Sequence, residues 1–281
     1  MKKFLIPLIA LGFFLGSCNE IPVVINPVMD GDPPPDTIVV DGQDRQVLIE
    51  EFTGVRCVQC PAGSAEIQDL LAIYGNRLIA ISLHAGEFSP PHPDSEFDFR
   101  TNEGDNIINY VGNPLGYPSA VIDRKLFPGE FDLQLGKSLW AGYIASETAN
   151  PPKVRIGIAP EYNEGSGNLN VDVVIFVDEE VTDADIRLSV AITEDNIVDR
   201  QTTPEGEDYE YVHKHVFRGM MTNWDGDALE GSLFQNQKIE KSFSMAIPSD
   251  WKPEDCHVIA YVHLAGTDKE VLQAAQVEMV E

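Results

Sequence analysis

Basic residues are scarce in this chain of 281 residues: Lys and Arg together number 19, against 46 Asp and Glu, and the formal net charge is −27. A surface of this sign repels a phosphate backbone wherever it lacks a local basic patch, and the longest basic cluster is only Arg124-Lys125. Adsorption to anionic lipid headgroups is disfavoured for the same reason. The composition therefore argues against nucleic acid as a partner, and attachment to a membrane requires a covalent lipid or an inserted segment.

Long apolar runs are also missing. The clearest one spans residues 4–15, directly after Met1-Lys2-Lys3, and it is shorter than the roughly 20 residues of a membrane-spanning helix. It ends in Leu15-Gly16-Ser17-Cys18, which resembles the lipobox of bacterial lipoproteins. We therefore expect residues 1–17 to be a lipoprotein signal peptide and Cys18 to carry the lipid. An ordinary signal peptide with a cysteine at its end is the alternative.

The next segment, residues 18–36, is rich in proline and ends near the triplet Pro33-Pro34-Pro35. Such composition favours an extended chain over a packed core, so we predict a tether between the lipid and the folded part. Glu20 resembles a surface-export signal of some diderm bacteria. We predict a lipoprotein bound to the membrane through its N-terminal lipid. The sequence leaves open whether it faces the periplasm or the cell exterior, and it leaves the oligomeric state open.

Cysteine is rare as well, with four in the chain, and two of them form Cys57-Val58-Gln59-Cys60. The apolar run 46–52 before the motif predicts a buried strand. After it, apolar residues recur at helical spacing through 67–74, and 77–83 again has the character of a strand. The pattern predicts a strand–helix–strand unit with both cysteines at the N-terminus of the helix.

A helix N-terminus stabilises a thiolate through its free amides and its dipole, which lowers the pKa of Cys57, and Arg56 adds positive charge beside it. A thiolate attacks disulfides, and Cys60 one turn away can resolve the mixed disulfide. A zinc site would need a second pair of ligands, and none is spaced for it; a haem attachment site would need His where Pro61 stands. A purely structural disulfide remains an alternative.

Three features together resemble the thioredoxin superfamily over roughly 36–150: the cysteine pair after a buried strand, Glu51 six residues before Cys57, and the Gly116-Tyr117-Pro118-Ser119 loop before another strand. The resemblance implies that Glu51 accepts the proton of Cys60 and that Pro118 is a cis proline that orients substrate. The chain departs from thioredoxin in Val58-Gln59 and in an insertion around 84–113 that includes weakly helical residues 97–111. Redox direction therefore stays open.

The second half begins after Asn150-Pro151-Pro152, where the helical pattern of Leu135, Leu139, Trp140, Tyr143 and Ile144 stops. Alternation with period two then predicts strands, as expected for an immunoglobulin-like β-sandwich. The seven candidate strands are 154–158, 169–177, 186–192, 209–217, 239–247, 258–264 and 271–280. The predicted fold is therefore α/β plus all-β, with a thioredoxin-like domain at 37–150 followed by an immunoglobulin-like β-sandwich at 151–281.

Weaker signals lie in the second half. His213 and His215 are expected on one strand face, with His263 on a later strand, but strand histidines are more often packed or solvated than metal ligands. The acidic loop 223–227 has calcium-like ligands without the spacing of an EF-hand. Cys256 is expected to be a small buried apolar residue. We predict no metal and no cofactor.

The whole mature chain resembles the outer membrane lipoproteins related to outer membrane protein 28. The match lies in Glu50-Glu51-Phe52-Thr53-Gly54 before the cysteine motif, in the loop around Pro118, and in the segment 211–218. The family is described as surface or adhesin-like antigens. The leading hypothesis is a tethered thiol–disulfide oxidoreductase acting on protein thiols or disulfides, with Cys57, Cys60, Glu51 and Pro118 as its site. The alternative is a surface binding protein in which the Cys57–Cys60 bridge is only structural.

Overall fold

The computed structural model describes Ile38, Val40 and residues 42–182 and 185–280. The signal peptide predicted at 1–17, the lipid site at Cys18 and the tether at 18–36 lie outside the described residues. The helices are α1 (Cys60–Tyr74), α2 (Asn102–Val111) and α3 (Lys137–Thr148). The strands are β1 (Val47–Thr53), β2 (Leu78–His84), β3 (Ser119–Ile122), β4 (Leu135–Gly136), β5 (Val154–Asn163), β6 (Asn168–Val177), β7 (Asp185–Glu194), β8 (Ile197–Thr203), β9 (Gly206–His213), β10 (Val216–Met220), β11 (Asp227–Leu229), β12 (Lys238–Ala246), β13 (Cys256–Ala265) and β14 (Val271–Glu278).

A large mixed sheet runs through the described chain in the order β14-β13-β7-β10-β2-β1-β3-β4, with β11 also paired to β7. β1 and β2 are parallel, and every residue of both strands is buried. A central parallel strand is covered on both faces, which favours a mostly apolar sequence. In β1 the charged exceptions are Glu50 and Glu51. β3 is antiparallel to β1, and β4 is antiparallel to β3. Leu135, predicted in the last helix, instead lies in β4.

Helices cover both faces of this sheet beside β1. Alternate residues of β1 point to opposite sides, so Val47 and Ile49 pack with α1 and α3, while Leu48 and Phe52 join the core that contains α2. α1 has Pro61 in its first turn, where a missing N–H costs nothing, and it ends at Gly75 with φ of 54°. The helix therefore begins at the cysteine motif, as the sequence predicts.

Three strands, β12-β6-β5, form a separate sheet whose buried side chains share one core with β7 and β13. β8 and β9 pair only with each other, as a two-stranded hairpin. The prediction of one strand over 209–217 is wrong: β9 ends at His213, β10 begins at Val216, and His215 between them has φ of 54°. His213 and His215 therefore do not share a strand face.

The boundary predicted at 150–151 lies between α3 and β5, yet strands from both sides share the large sheet, and Ile38–Glu281 forms one compact unit. A buried ion pair of the first half also contacts the second half: Arg124 donates to Glu50 at 2.6 Å and to the Tyr261 hydroxyl at 2.9 Å. Charges this deeply buried are tolerated only when they are paired and hydrogen-bonded. Among the described residues, no helix has the length and apolar character needed to cross a membrane.

Candidate functional site

Cys57 and Cys60 form a disulfide at the N-terminus of α1, with their Cα atoms 5.3 Å apart. Cys60 is the first residue of the helix, and its N–H donates to the Cys57 carbonyl at 3.2 Å. Both residues are nearly covered, since Cys57 is 4% exposed and Cys60 is 1% exposed. Their neighbours Val58 and Gln59 are exposed. The motif therefore lies near the surface, with its sulfur bridge turned inward.

Glu51 lies on β1 with no exposed surface. The Ser82 hydroxyl donates to its Oε2 at 3.0 Å, while its Oε1 has no hydrogen-bond partner. Burial raises the pKa of Glu51 from its ordinary 4.5 to about 7, because the charged form loses more solvation than the side chains of Ser82 and Ser64 return. A carboxyl group with this pKa can give or accept a proton near neutral pH.

Pro118 is joined to Tyr117 by a cis peptide bond, the form that the resemblance to thioredoxins implies. It packs on α1 at Gly63, where an added Cβ would lie 2.6 Å from the Pro118 Cβ and 2.7 Å from the Glu51 Oε1. Gly63 therefore holds three predicted features together: the helix of the cysteine motif, the buried acid and the proline loop. Sequence reasoning missed Gly63, although a glycine inside the first turns of a helix is a signal of close packing.

A loop at residues 85–89, the bridging loop, connects the cysteine motif to the proline loop. The N–H of Arg56 donates to the Phe88 carbonyl at 3.1 Å. The Phe88 ring packs edge-on against the Tyr117 ring, with centroids 5.3 Å apart, and the Tyr117 hydroxyl donates to the Ala85 carbonyl at 3.2 Å. This part of the insertion therefore covers one side of the disulfide.

The β8–β9 hairpin covers another side. The side-chain amide of Gln201 donates to the carbonyls of Cys57 at 3.1 Å and Gly54 at 3.3 Å, and the N–H of Thr202 donates to the Val55 carbonyl at 2.9 Å. The second half of the chain thus contributes directly to the surroundings of the cysteines. No sequence pattern placed the hairpin there.

Two cavities adjoin the site. One, of about 240 Å³, lies between α1 and β9 and includes Glu51, Ser64, Tyr211, Lys214 and His215 in its lining. The other has room for little more than a single atom, about 10 Å³, and its lining includes Cys60, His84, Gln201 and His213. Ser64, Ser82, Tyr211 and Lys214 line both, so Glu51 and Cys60 face neighbouring spaces.

The three histidines considered as metal ligands lie apart. His213 borders the small cavity. His215 contacts the Asp195 carboxylate at 3.3 Å and Gln68 at 2.9 Å, and His263 is buried against the Ser189 hydroxyl at 3.0 Å. Across residues 42–182 and 185–280, no group of three or more His, Cys, Asp or Glu is arranged to hold a metal ion. Cys256 is free and buried, and burial raises the pKa of its thiol to about 12.

Several solved structures have folds similar to that of this chain. HBP35 of Porphyromonas gingivalis superposes with a TM-score of 0.66 at 16% identity, covering 84% of this chain and 76% of its own. A protein of Agrobacterium tumefaciens, solved by structural genomics, has a TM-score of 0.51 at 11% identity, covering 85% of this chain and 96% of its own. At these identities the likeness concerns the fold alone.

Sequence comparison gives the family. No curated protein matches the chain significantly. The sequence profile of the family described as outer membrane protein Omp28 matches residues 106–281. That match includes the proline loop, α3 and the whole second half, which is more than half of the chain. The chain therefore belongs to the outer membrane protein Omp28 family.

Proposed function

We propose that the chain is an outer membrane lipoprotein that performs thiol–disulfide exchange on extracytoplasmic protein cysteines at Cys57 and Cys60. Family membership supports the outer membrane, and the lipobox supports lipid attachment at Cys18. We further propose that 37–150 is a thioredoxin-like domain and that 151–281 is an immunoglobulin-like β-sandwich. The order β2-β1-β3-β4, with Cys57 between β1 and α1 and Cys60 at the start of α1, supports the first of these assignments.

One arrangement carries the catalytic proposal: the disulfide at the entrance of α1 has a buried acid and a cis proline packed beneath it around Gly63. A substrate thiolate attacks the Cys57 sulfur, a bond forms between those two sulfurs, and the Cys57–Cys60 bond breaks. Cys60 leaves as a thiolate and takes a proton from Glu51. In the reverse direction Cys60 returns that proton to Glu51 and attacks the mixed disulfide. The partner's reduction potential sets the direction.

Insulin reduction and the reactivation of scrambled ribonuclease test this proposal, because they detect net reduction and isomerisation separately. We expect the wild-type protein to be active in at least one assay and Cys57→Ser to be inactive. Cys60→Ser should trap a mixed disulfide with substrate through Cys57. An inactive wild-type protein whose disulfide can be reduced and reoxidised would contradict the proposal.

The burial of both cysteines favours a second candidate, a surface binding protein in which the bridge only braces the loop at 54–57. Under this alternative, Cys57→Ser would lower the free energy of unfolding, and neither assay would show exchange by the wild-type protein. Measuring stability and exchange on the same variants separates the two candidates.

The lipid anchor has its own test. Cys18→Ser should move the protein from the membrane fraction to the soluble fraction of cells and prevent labelling with a radioactive fatty acid. Membrane association that survives the substitution would contradict attachment through this residue.

A further inference from the structure

Two buried histidines from different halves of the chain meet beside Cys60. His84 ends β2 and is 5% exposed, and His213 ends β9 and is 4% exposed. Both border the small cavity that Cys60 also lines. Its volume of about 10 Å³ is at the lower limit for one water molecule and suits a single small ion.

One ring nitrogen of each histidine lacks a partner. The Nδ1 of His84 and the Nε2 of His213 are both buried, and neither has a hydrogen bond. A buried polar atom without a partner is costly, so two of them around one cavity indicate a missing ligand. The ring centroids are 5.6 Å apart. Two imidazoles bound to one tetrahedral ion, with metal–nitrogen bonds of about 2 Å, have centroids roughly 5 Å apart.

His213 makes a hydrogen bond with the backbone of Asp199, the kind of second contact that orients a metal-binding imidazole.

We propose that reduction of the Cys57–Cys60 bridge converts this cavity into a binding site for a thiophilic metal ion, with zinc(II) as the test ion, held by His84, His213 and the two cysteine thiolates. A dithiol supplies the two electrons and two protons that open the bridge, and it becomes a disulfide itself. Zinc(II) then displaces the two thiol protons. Two imidazoles and two thiolates are a donor set that selects zinc or copper(I) over hard cations.

The oxidised structure is consistent with a site that forms only after the bridge is reduced. It offers two histidines but no group of three potential ligands within its described residues, and its two sulfurs are joined to each other rather than present as thiolates. No sequence pattern predicts zinc here, since neither histidine is near the cysteines along the chain. A bound ion would hold both thiolates and so block exchange. The inference rests on the proposed function only in requiring a bridge that can be reduced.

The test uses tag-free protein reduced with an excess of a water-soluble phosphine, which is oxidised to the phosphine oxide with oxygen from water. A thiol count that rises by two per chain verifies the reduction. After anaerobic removal of the phosphine, competition with a chromophoric chelator measures zinc affinity. Cobalt(II) then gives the absorption bands of a tetrahedral thiolate site. We expect one ion per chain in the reduced protein and none at this site in the oxidised protein.

His84→Gln and His213→Gln should each weaken zinc binding at least tenfold, by comparison with the losses seen when metal-site contacts are removed. His257→Gln is the matched control, because its Nδ1 is also buried without a partner but does not border the cavity. Circular dichroism verifies that each variant is folded. The cobalt(II) absorption bands of the reduced wild-type protein test for a thiolate site even if a histidine variant fails to fold.

Reduced wild-type protein that shows two new thiols but binds no zinc would overturn the inference, as would unchanged affinity in both folded histidine variants. Exchange activity without zinc binding would contradict this inference but not the proposed function. Zinc binding without exchange activity would contradict the proposed function but not this inference. A bridge that stays closed under excess phosphine in the folded protein would overturn both.

Discussion

The side-chain amide of Gln201 donates a hydrogen bond of 3.1 Å to the carbonyl of Cys57, although 144 residues separate the two along the chain. The same amide reaches the Gly54 carbonyl, and the neighbouring Thr202 binds Val55 through its N–H. The β8–β9 hairpin is therefore fastened to the backbone of the cysteine loop rather than to its side chains. Movement of the hairpin would change how far the disulfide is exposed.

Replacing Gln201 with Ala should expose the bridge more often. Each lost hydrogen bond is worth about 1 kcal/mol, and we expect the rate of reduction by a phosphine to rise about tenfold. The appearance of free thiols with time measures that rate. Gln235→Ala is the control. The side-chain amide of Gln235 also donates to a backbone carbonyl, that of Asp178, and both residues are far from Cys57 along the chain. Equal rates for wild type and Gln201→Ala would show that the hairpin does not limit access.

The local parts of the site were predictable, and the long-range parts were not. The apolar run of β1, the helical spacing of α1 and the position of Gly75 each follow from contacts within one element, so the sequence around Cys57 and Cys60 predicts their placement. Gln201 reaches the site through strand pairing and hairpin packing that no local periodicity records. The same holds for the approach of His213 to His84.

The error at His215 has a local cause. The residues around it alternate between apolar and polar, which favours one continuous strand, but the backbone at His215 turns through positive φ and separates β9 from β10. This turn lets β10 join the large sheet while β9 pairs with β8. Alternation alone does not reveal such a break, because the local polarity of a strand does not indicate which sheet the strand joins.

Glu51 should make the protein less stable as pH rises. Below about pH 4.5 the carboxyl group is protonated in both the folded and the unfolded states. Between its ordinary pKa of 4.5 and its folded pKa of about 7, the unfolded chain releases the proton first, so the free energy of unfolding falls by about 3 kcal/mol in total. Above about pH 7 this contribution stays constant.

Glu51→Gln should remove that fall. We expect the variant to match the wild type within about 1 kcal/mol near pH 4 and to exceed it by up to about 3 kcal/mol near pH 8, measured by urea unfolding. Burial also raises the pKa of Asp123 to about 7, but Asp123 is present in both proteins and cancels in the comparison. The exposed Glu161→Gln serves as the control. A difference independent of pH would mean that Glu51 titrates near its ordinary value.

Gly63 should tolerate no side chain. A methyl group there would overlap Pro118 and approach the Glu51 carboxyl group, and both contacts are shorter than real Cβ atoms allow. Either the proline loop or α1 must move, and overpacking of this kind costs about 1–3 kcal/mol. Since the same movement separates Pro118 from the cysteines, Gly63→Ala should also lose most exchange activity. Thermal unfolding and insulin reduction measure the two effects.

Gly142 is the matched control, because it too lies within a helix but is exposed and has nothing within 4 Å of an added Cβ. Gly142→Ala should leave exchange unchanged and stabilise the protein by up to about 1 kcal/mol, since alanine favours helix over glycine. If Gly63→Ala behaved like Gly142→Ala in both measurements, the packing of α1 against Pro118 would not matter to the site. The role assigned to that proline would then have no structural support.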